Sequence, residues 1–439
     1  MESSIEIKQP KAIYFLSTLI MCDLFAYYGM RALLVLFMLK FLKFDTAQAG
    51  AVYGWFTGLV YLTPLIGGYI ADRYWGRIKS IYVGMVIVGI GQFLLSVAVW
   101  SYSIATFYFA LTLIIVGTGF FRPNIASTVG TLYKSANDPR RDAGFTIYYM
   151  YANLGAFAAP IICGFLGEKI GWEWGFISAA VGVVIGIIVL TLGRKKYLGD
   201  NGLTPINLKV NGVADNEQPL TKQEKQKIAV IFIMMFFVVF FWSAFEQAGS
   251  SITLFTDQST NRVINIFGWS WQISTSMLQC LNPLFVIMLA PFISKLWVKL
   301  ASKGLEPSTP YKFVWGLGFL GFGFVLMVMA SAIYETSGSV TMLWLIGVYL
   351  FHSLGELCIS PIGSSMVTKL SPLRFSSLMM GVWFGANFIA NLTSGIFAGN
   401  YDTMDHKLFF LIPVISSAGA ALLLFFLAKP IKRWMHGVH

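Results

Sequence analysis

Residues 19–37 read LIMCDLFAYYGMRALLVLF, an almost unbroken apolar run that contains one acid, Asp23, and one base, Arg31. A run of this length is long enough to cross the hydrocarbon core of a bilayer as a helix. The two charged residues are a little over two helical turns apart, so they share one helix face, with Tyr27 between them. Because a charge inside a span is costly, we expect the face that carries it to line a functional site.

The rest of the chain repeats this apolar pattern. Of its 439 residues, 56% are hydrophobic and 12% are charged, with a mean hydropathy of +0.70, far too apolar for a soluble protein. The polar N-terminus, MESSIEIKQPK, does not resemble a cleaved signal peptide. The sequence predicts an all-α membrane protein with twelve transmembrane helices, near residues 13–42, 50–72, 78–102, 104–130, 141–167, 172–193, 227–256, 264–294, 309–333, 338–369, 375–398 and 406–428.

The formal net charge of +11 is explained by where the basic residues lie. Alternate loops hold nearly all of them, as in Arg194, Lys195 and Lys196. This is the positive-inside pattern, which predicts an integral protein of the plasma (inner) membrane with both termini cytoplasmic. The basic surplus therefore indicates contact with lipid headgroups and not with nucleic acid. Four cysteines fall within predicted spans at unrelated spacings, so neither a disulfide framework nor a metal site is expected.

One long polar segment divides the chain. Residues 194–226 lack a sustained apolar face and are predicted to form a cytoplasmic linker. They separate an N-terminal six-helix bundle, 1–193, from a C-terminal six-helix bundle with a short cytoplasmic tail, 227–439. This arrangement fits the major facilitator fold, whose halves move about a site at the bilayer midplane. The loop at 67–77, GGYIADRYWGR, adds glycines for close packing and charges at the cytoplasmic interface.

Five charged residues fall deep within predicted spans, and they come from both halves: Asp23, Arg31, Arg122, Glu246 and Glu356. A carboxylate without a partner in a medium of low dielectric tends to take up a proton, so one of the three acids is a natural proton carrier. Arginine stays protonated and cannot do this. For Asp23, a structural ion pair and a functional role remain equally open. For the two arginines, a buried guanidinium that binds a carboxylate ligand is the favoured reading.

Several motifs together resemble the proton-dependent oligopeptide transporters of the major facilitator superfamily over nearly the whole chain. The family's Glu-x-x-Glu-Arg-Phe-x-Tyr-Tyr-Gly-Met-Arg motif is matched by residues 20–31, and its Lys-Pro-Asn by residues 122–124. Its acidic motif of span 7 is matched by residues 241–247, and its Glu-x-x-x-Ser-Pro by residues 356–361.

The resemblance implies a role for individual residues. Arg31 and Arg122 would face the substrate carboxylate, and Glu356 would bind its amino group. The candidates for hydrogen bonds to the substrate backbone are Tyr27, Tyr61, Asn153 and Asn282. Three further residues complete the candidate substrate contacts: Trp242, Ser360 and Trp383. Trp242 shares a helix face with Glu246. Trp383 lies in the middle of span 11 and is equally well explained as a core residue. Asp23 and Glu246 are the candidate proton-coupling residues.

The chain departs from the family at three positions. Ile20 and Leu24 replace a glutamate and an arginine, and Arg122 replaces a lysine that can release its proton. Two readings follow. Asp23 pairs with Arg122 and leaves Glu246 as the proton carrier, or the protein has lost proton coupling or accepts a substrate other than a standard di- or tripeptide.

The sequence therefore predicts a secondary active transporter that moves small peptides or peptide-like amphoteric solutes by alternating access, coupled to protons. An exporter or proton-independent facilitator of a non-standard solute, such as a siderophore-like or modified peptide, is the alternative. No nucleophile elbow, phosphate loop or His/Asp metal cluster is visible in the sequence, so an enzyme is not expected. The expected partners are substrate, protons and membrane lipid, with no cofactor, and the protein is expected to be a monomer.

Overall fold

The computed structural model describes residues 8–133, 140–199, 202–205, 220–266, 268–372 and 375–437. These residues are dominated by long helices. The helices are α1 (Lys11–Lys40), α2 (Thr46–Ile70), α3 (Arg77–Ser101), α4 (Ile104–Gly130), α5 (Arg140–Phe165), α6 (Trp172–Tyr197), α7 (Lys222–Phe245), α8 (Ser251–Ser259), α9 (Leu281–Ser302), α10 (Thr309–Ser337), α11 (Met342–Leu370), α12 (Ser376–Ala398) and α13 (His406–Trp434).

Four short strands accompany the helices. β1 (Thr260–Asn261) pairs in parallel with β4 (Val340–Thr341), and β2 (Val263–Ile266) pairs with β3 (Trp269–Gln272) as an antiparallel hairpin. Two π-helical turns, Ala71–Trp75 and Leu166–Ile170, extend α2 and α5. Among the described residues, eleven helical segments are long and apolar enough to cross a membrane, and α12, with 23 residues, is a further long helix. The predicted all-α membrane architecture is thus confirmed.

The predicted span at 264–294 is wrong in its first half. Residues 263–272 form the β2–β3 hairpin, and α9 begins only at Leu281 and continues to Ser302. The error arose because apolar content alone was counted. In the stretch Trp269-Ser-Trp-Gln272 the apolar residues alternate with polar ones, a period-2 pattern that is typical of a strand. Asn282-Pro283 consequently lies in the first turn of α9, where proline is tolerated, and does not break a span.

The seventh span is interrupted in its middle. α7 ends at Phe245, residues Glu246–Gly249 form a 3-10 turn, and α8 continues to Ser259. Such interruptions leave backbone groups without helical partners and are found in transporters where a membrane helix lines a polar site. The interruption starts at the acidic residue that the sequence identified. The N-terminus of α7 is closed by a capping box between Thr221 and Glu224, so this helix begins within the predicted linker.

The described residues fall into two compact units, one with residues 8–33 and 62–205 and the other with 34–61 and 220–437. The predicted division at the linker, into bundles 1–193 and 227–439, remains a prediction. In the first unit, glycines allow close helix crossings. A Cβ added at Gly84 would lie 2.7 Å from the carbonyl oxygen of Gly117, and one at Gly67 would strike the backbone of Gly119. The helices approach closely at Gly117 and Gly119 because neither residue has a side chain.

The charged segment that follows α2 contains two polar side-chain contacts. Asp72 accepts a contact from the Nε of Arg77 at 3.3 Å, while Arg73 donates to the hydroxyl of Tyr69 at 2.9 Å. Asp72 and Arg73 therefore bind Arg77 and Tyr69, respectively. The reason is that Asp72 and Arg77 flank Gly76, whose φ of 78° turns the chain back.

The second unit contains a further row of glycines. Gly50, Gly54 and Gly58 lie at every fourth position of α2, the spacing that lets two membrane helices approach closely. A Cβ at Gly54 would lie 3.0 Å from both the carbonyl oxygen of Asn391 and the Cα of Gly395 in α12. In the same unit, Lys40 at the end of α1 contacts the carboxylate of Asp257 in α8 at 2.7 Å.

Candidate functional site

In the first unit, α1 and α4 bring together an acid and a base. The Nε of Arg122 donates a hydrogen bond to Oδ2 of Asp23 at 2.8 Å. The side chain of Asp23 is only 5% exposed and that of Arg122 is 19% exposed. The guanidinium carbon of Arg122 also lies 4.3 Å from the centroid of the Tyr27 ring, within cation–π range. This contact is the one that the first of the two hypotheses requires, in which Asp23 forms an ion pair with Arg122.

Arg31 lies further along α1 and is buried, with 8% exposure. Its guanidinium carbon lies 5.6 Å from the centroid of the Tyr28 ring. Tyr148 of α5 interacts electrostatically with both Asp23 and Arg122, so a phenol is the third polar group at this ion pair. Asn153, one helical turn beyond Tyr149, donates from Nδ2 to the carbonyl oxygen of that residue at 2.9 Å. Its amide therefore bonds within its own helix.

In the second unit, α9 and α11 form a separate polar cluster. The Nδ2 of Asn282 donates to Oε2 of Glu356 at 2.9 Å and lies 3.0 Å from the hydroxyl of Ser353. Ser353 in turn donates to the carbonyl oxygen of Tyr349 at 2.7 Å. The placement of Asn282 in the first turn of α9 points its amide at α11. The amide therefore fixes the orientation of the Glu356 carboxylate.

Glu246 lies in the same unit and is buried, with 3% exposure. It is close enough to Glu356 for the two carboxylates to repel each other. Two acids in this relation do not both ionise freely, and the first proton belongs to the pair. A pair of acids in this relation has the chemistry that a proton carrier requires.

The break in the seventh span is held by a network that sequence reasoning missed. Gln247 is fully buried. Its Nε2 donates to the carbonyl oxygen and the hydroxyl of Ser394 in α12, each at 3.0 Å, and its Oε1 accepts from the hydroxyl of Ser251 at 2.6 Å. The available signal was the sequence Gln247-Ala-Gly-Ser-Ser251, in which glycine and two serines follow the acid inside an apolar run.

Four other candidates in this unit are placed as follows. Trp242 lies one turn before Glu246 and makes edge contacts with Phe245, at 5.0 Å between ring centroids. Ser360 is partly exposed, and so is Tyr61. Trp383 is 5% exposed, and its ring covers Gly363 of α11, where an added Cβ would lie 2.5 Å from the ring. This close contact accounts for the absence of a side chain at Gly363.

His352 precedes Glu356 by one helical turn and is buried among aromatic rings. Its ring lies 4.8 Å from that of Phe324 and 6.1 Å from that of Phe245. Among the described residues, neither ring nitrogen has a hydrogen-bond partner. A Cβ at Gly323 would lie 2.5 Å from the imidazole, so the ring is pressed against bare backbone.

These features define a polytopic helical membrane protein with buried ionisable clusters in each of its two units, which is the architecture of a transporter. The comparisons with known proteins give the family. The POT family model, PTR2, matches residues 78–202 and 206–414. The chain belongs to the POT family, and both the predicted resemblance and the predicted major facilitator fold are confirmed.

Two relatives are similar along almost their whole length. The uncharacterized transporter YclF of Bacillus subtilis is 34% identical, with 98% of this chain and 96% of the relative covered. The peptide transporter YePEPT of Yersinia enterocolitica is 33% identical, with 95% and 93% covered. Because these alignments span both units, the chain is a transporter of the class that includes peptide transporters.

Solved structures agree with this assignment. A mutant of the peptide transporter POT in complex with alafosfalin is 30% identical, with a TM-score of 0.87 and 98% of this chain and 97% of that chain covered. A POT family transporter in complex with 5-aminolevulinic acid is 26% identical, with a TM-score of 0.88 and 97% and 98% covered.

Proposed function

We propose that this protein is a proton-coupled secondary transporter of small peptides and peptide-like amphoteric solutes that works by alternating access. The observation that carries the proposal is the division of buried charge. Arginines 31 and 122 lie in the first unit, and the acids Glu246 and Glu356 lie in the second. A zwitterionic solute needs a cationic partner for its carboxylate and an anionic partner for its amine, and these residues supply both kinds.

The substrate carboxylate would compete with Asp23 for Arg122. The ion pair gives the guanidinium a counter-charge at 2.8 Å and offsets the cost of an isolated buried charge. A bound carboxylate would share or replace that bond, and Arg31 would add a second cation. In the second unit, the amine of the substrate would bind Glu356, which Asn282 orients. The complexes of POT family transporters with alafosfalin and 5-aminolevulinic acid support the assignment to peptide-like solutes.

We assign the transported proton to Glu246. Its position at the break between α7 and the 3-10 turn places it where a change in charge acts on helix geometry. Protonation would reduce its repulsion with Glu356, and deprotonation would restore it. Arg122 stays charged throughout, so it contributes to binding and not to the movement of the proton.

Alternating access requires contacts that break during the cycle. We assign this role to the contact of α2 with α12 at Gly54 and to the ion pair of Lys40 and Asp257, which join the start of the chain to late helices. The ion pair is suited to repeated opening because it is partly exposed, with 48% exposure of the lysine side chain. Exposed pairs contribute at most about 1 kcal/mol.

The alternation of basic loops supports a location in the plasma (inner) membrane, with both termini cytoplasmic. In this orientation the Lys40–Asp257 pair lies on the outer side. We propose a monomer as the working unit, because each monomer carries every charged group that the mechanism uses.

Uptake into proteoliposomes tests the function. We expect a labelled dipeptide to accumulate when an inward proton gradient is imposed, and we expect unlabelled 5-aminolevulinic acid to compete with it. Free amino acids that lack the spacing between the two charges should compete less. Dipeptide uptake that ignores the gradient would overturn proton coupling, and failure of every dipeptide tested to enter or compete would overturn the substrate class.

A further inference from the structure

The β2–β3 hairpin has an unusual composition for a segment that connects two membrane spans. Its residues 263–272 read VINIFGWSWQ and contain no charged side chain. Trp269 is 83% exposed and Trp271 is 49% exposed. A two-stranded hairpin is only marginally stable in water by itself, and one with exposed tryptophans and uncharged edges is prone to association. This composition indicates that one face of the hairpin is not in contact with water.

The register sorts the side chains onto two faces. Ile264 pairs with Trp271, and Asn265 pairs with Ser270. Because directly opposed residues share a face and neighbours along a strand alternate, Trp269, Trp271 and Ile264 belong to one face. The other face carries Asn265 and Ser270, whose side chains are joined by a hydrogen bond of 2.5 Å. The hairpin is therefore amphipathic.

The hairpin is also held at a fixed place. At its base, Arg262 donates from Nη1 to the carbonyl oxygen of Ile273 at 2.8 Å, and the backbone N–H of Ile273 donates to Arg262 at 2.9 Å. Arg262 contacts Asp257 at 3.5 Å, and Thr275 donates to the same carboxylate at 2.9 Å. The nearest positive charge is thus used internally, and the hairpin is tied to the end of α8.

The flanking segments place it at the surface of the bilayer. The segment Lys222–Ser259 before it and the segment Ser276–Ser302 after it are both membrane spans by length and hydropathy. The second of these exposes large apolar side chains, such as Met288 and Phe292, so this part of its surface faces lipid. Tryptophan is enriched at the height of the headgroups, where its ring is apolar and its N–H can bond to water or lipid.

We propose that the apolar face of the β2–β3 hairpin, formed by Ile264, Trp269 and Trp271, lies on the lipid bilayer at the boundary between headgroups and acyl chains. The occupant is lipid because the hairpin is continuous with two lipid-embedded spans. Lipid of either charge would serve, because residues 263–272 carry no charge. The hairpin would act as an interfacial anchor that fixes the depth of the α8–α9 connection in the bilayer.

The test uses spin labels on neighbouring residues of opposite faces. The full chain is reconstituted in phosphatidylcholine nanodiscs as Ile264→Cys or, for the matched control, Asn265→Cys, and each label is exposed to oxygen and to a water-soluble nickel chelate. We expect the label at 264 to collide more with oxygen and the label at 265 to collide more with nickel. The parent, whose cysteines are wholly or partly buried, is treated with the same label and corrects for background labelling.

A second set of variants isolates the tryptophans. The pair Trp269→Ser and Trp271→Ser, added to the label at 264, should remove its preference for oxygen, while Val263→Ser on the opposite strand face should leave it. The same results are expected in nanodiscs of phosphatidylglycerol. Two outcomes would overturn the proposal: a label at 264 that favours nickel, which indicates water, and one that is protected from both reagents, which indicates contact with protein.

Discussion

The guanidinium of Arg122 is shared between an ion pair and an aromatic face: its Nε lies 2.8 Å from Asp23 and its carbon lies 4.3 Å from the ring centroid of Tyr27. A lysine in this position would offer a smaller, flexible ammonium that can lose its proton. The substitution of arginine in this chain therefore holds a permanent positive charge between α1 and α4. The consequence is a positive charge that does not change with pH, as the proposed binding of a substrate carboxylate requires.

Removing the acid of this pair should be costly. Asp23→Asn leaves a buried guanidinium without its counter-charge, and breaking such a pair costs roughly 3–5 kcal/mol when it is fully buried. We expect a clear drop in the melting temperature of purified protein and loss of most dipeptide uptake. The control is the double variant with Arg122→Gln, which removes both charges. It should regain stability but not uptake.

Restoring the family's lysine makes a different prediction. Arg122→Lys keeps a positive charge near Asp23, so folding should be retained. Because an ammonium can release its proton, the affinity for dipeptide should fall as the pH rises, whereas binding by the parent depends less on this position. Competition for labelled dipeptide at several pH values measures the difference. Equal pH dependence in the two proteins would show that residue 122 is remote from the substrate.

The hydrogen bond between Asn282 and Glu356 sets the orientation of the second cluster. Asn282→Leu removes two donated contacts, to Glu356 and Ser353, and a bond to a charged group contributes about 1.5–3 kcal/mol. We expect KM for dipeptide uptake to rise roughly tenfold or more, at about 1.4 kcal/mol for each factor of ten. Asn400→Leu is the control, since Asn400 is exposed and donates to the carbonyl of Ile396 in the preceding helix, α12. An unchanged KM in Asn282→Leu would argue against the site.

The crossing of α2 and α12 should be intolerant of bulk. Gly54→Val places a side chain where the Cβ alone would be 3.0 Å from Asn391 and Gly395, and overpacking of this kind costs typically 1–3 kcal/mol. We expect lower thermal stability and slower uptake. Gly385→Val, on α12, is the matched control because nothing lies within 4 Å of its added Cβ. Equal effects of the two substitutions would contradict the proposed role of the α2–α12 contact in alternating access.

Much of this architecture could be predicted because membrane helices are written in long apolar runs. The fold class followed from these runs. The candidate site residues such as Asp23 and Glu356 followed from the high cost of placing a charge inside a membrane span. The hairpin at 263–272 was missed because a count of apolar residues does not separate a period of 2 from a helix. The break after Phe245 was missed because the role of Gln247 depends on Ser394, which is distant in sequence and close only in the folded chain.

The ion pair illustrates a different limit. The sequence showed that Asp23 and Arg122 were both buried charges, but it left open whether Asp23 was structural or functional. Their distance in the chain gave no information about contact, because it is the packing of α1 on α4 that brings them together. The same holds for Asn282, whose direction depends on where α9 begins, and that boundary was misplaced.

The central claim is that Glu246 carries the transported proton, and one comparison tests it most directly. Proteoliposomes that contain the parent or Glu246→Gln are assayed for gradient-driven accumulation of dipeptide and for counterflow exchange without a gradient. We predict that Glu246→Gln loses accumulation and retains exchange, because glutamine has nearly the shape of a protonated glutamate but cannot release a proton. Accumulation at the parent's level in Glu246→Gln would contradict the account.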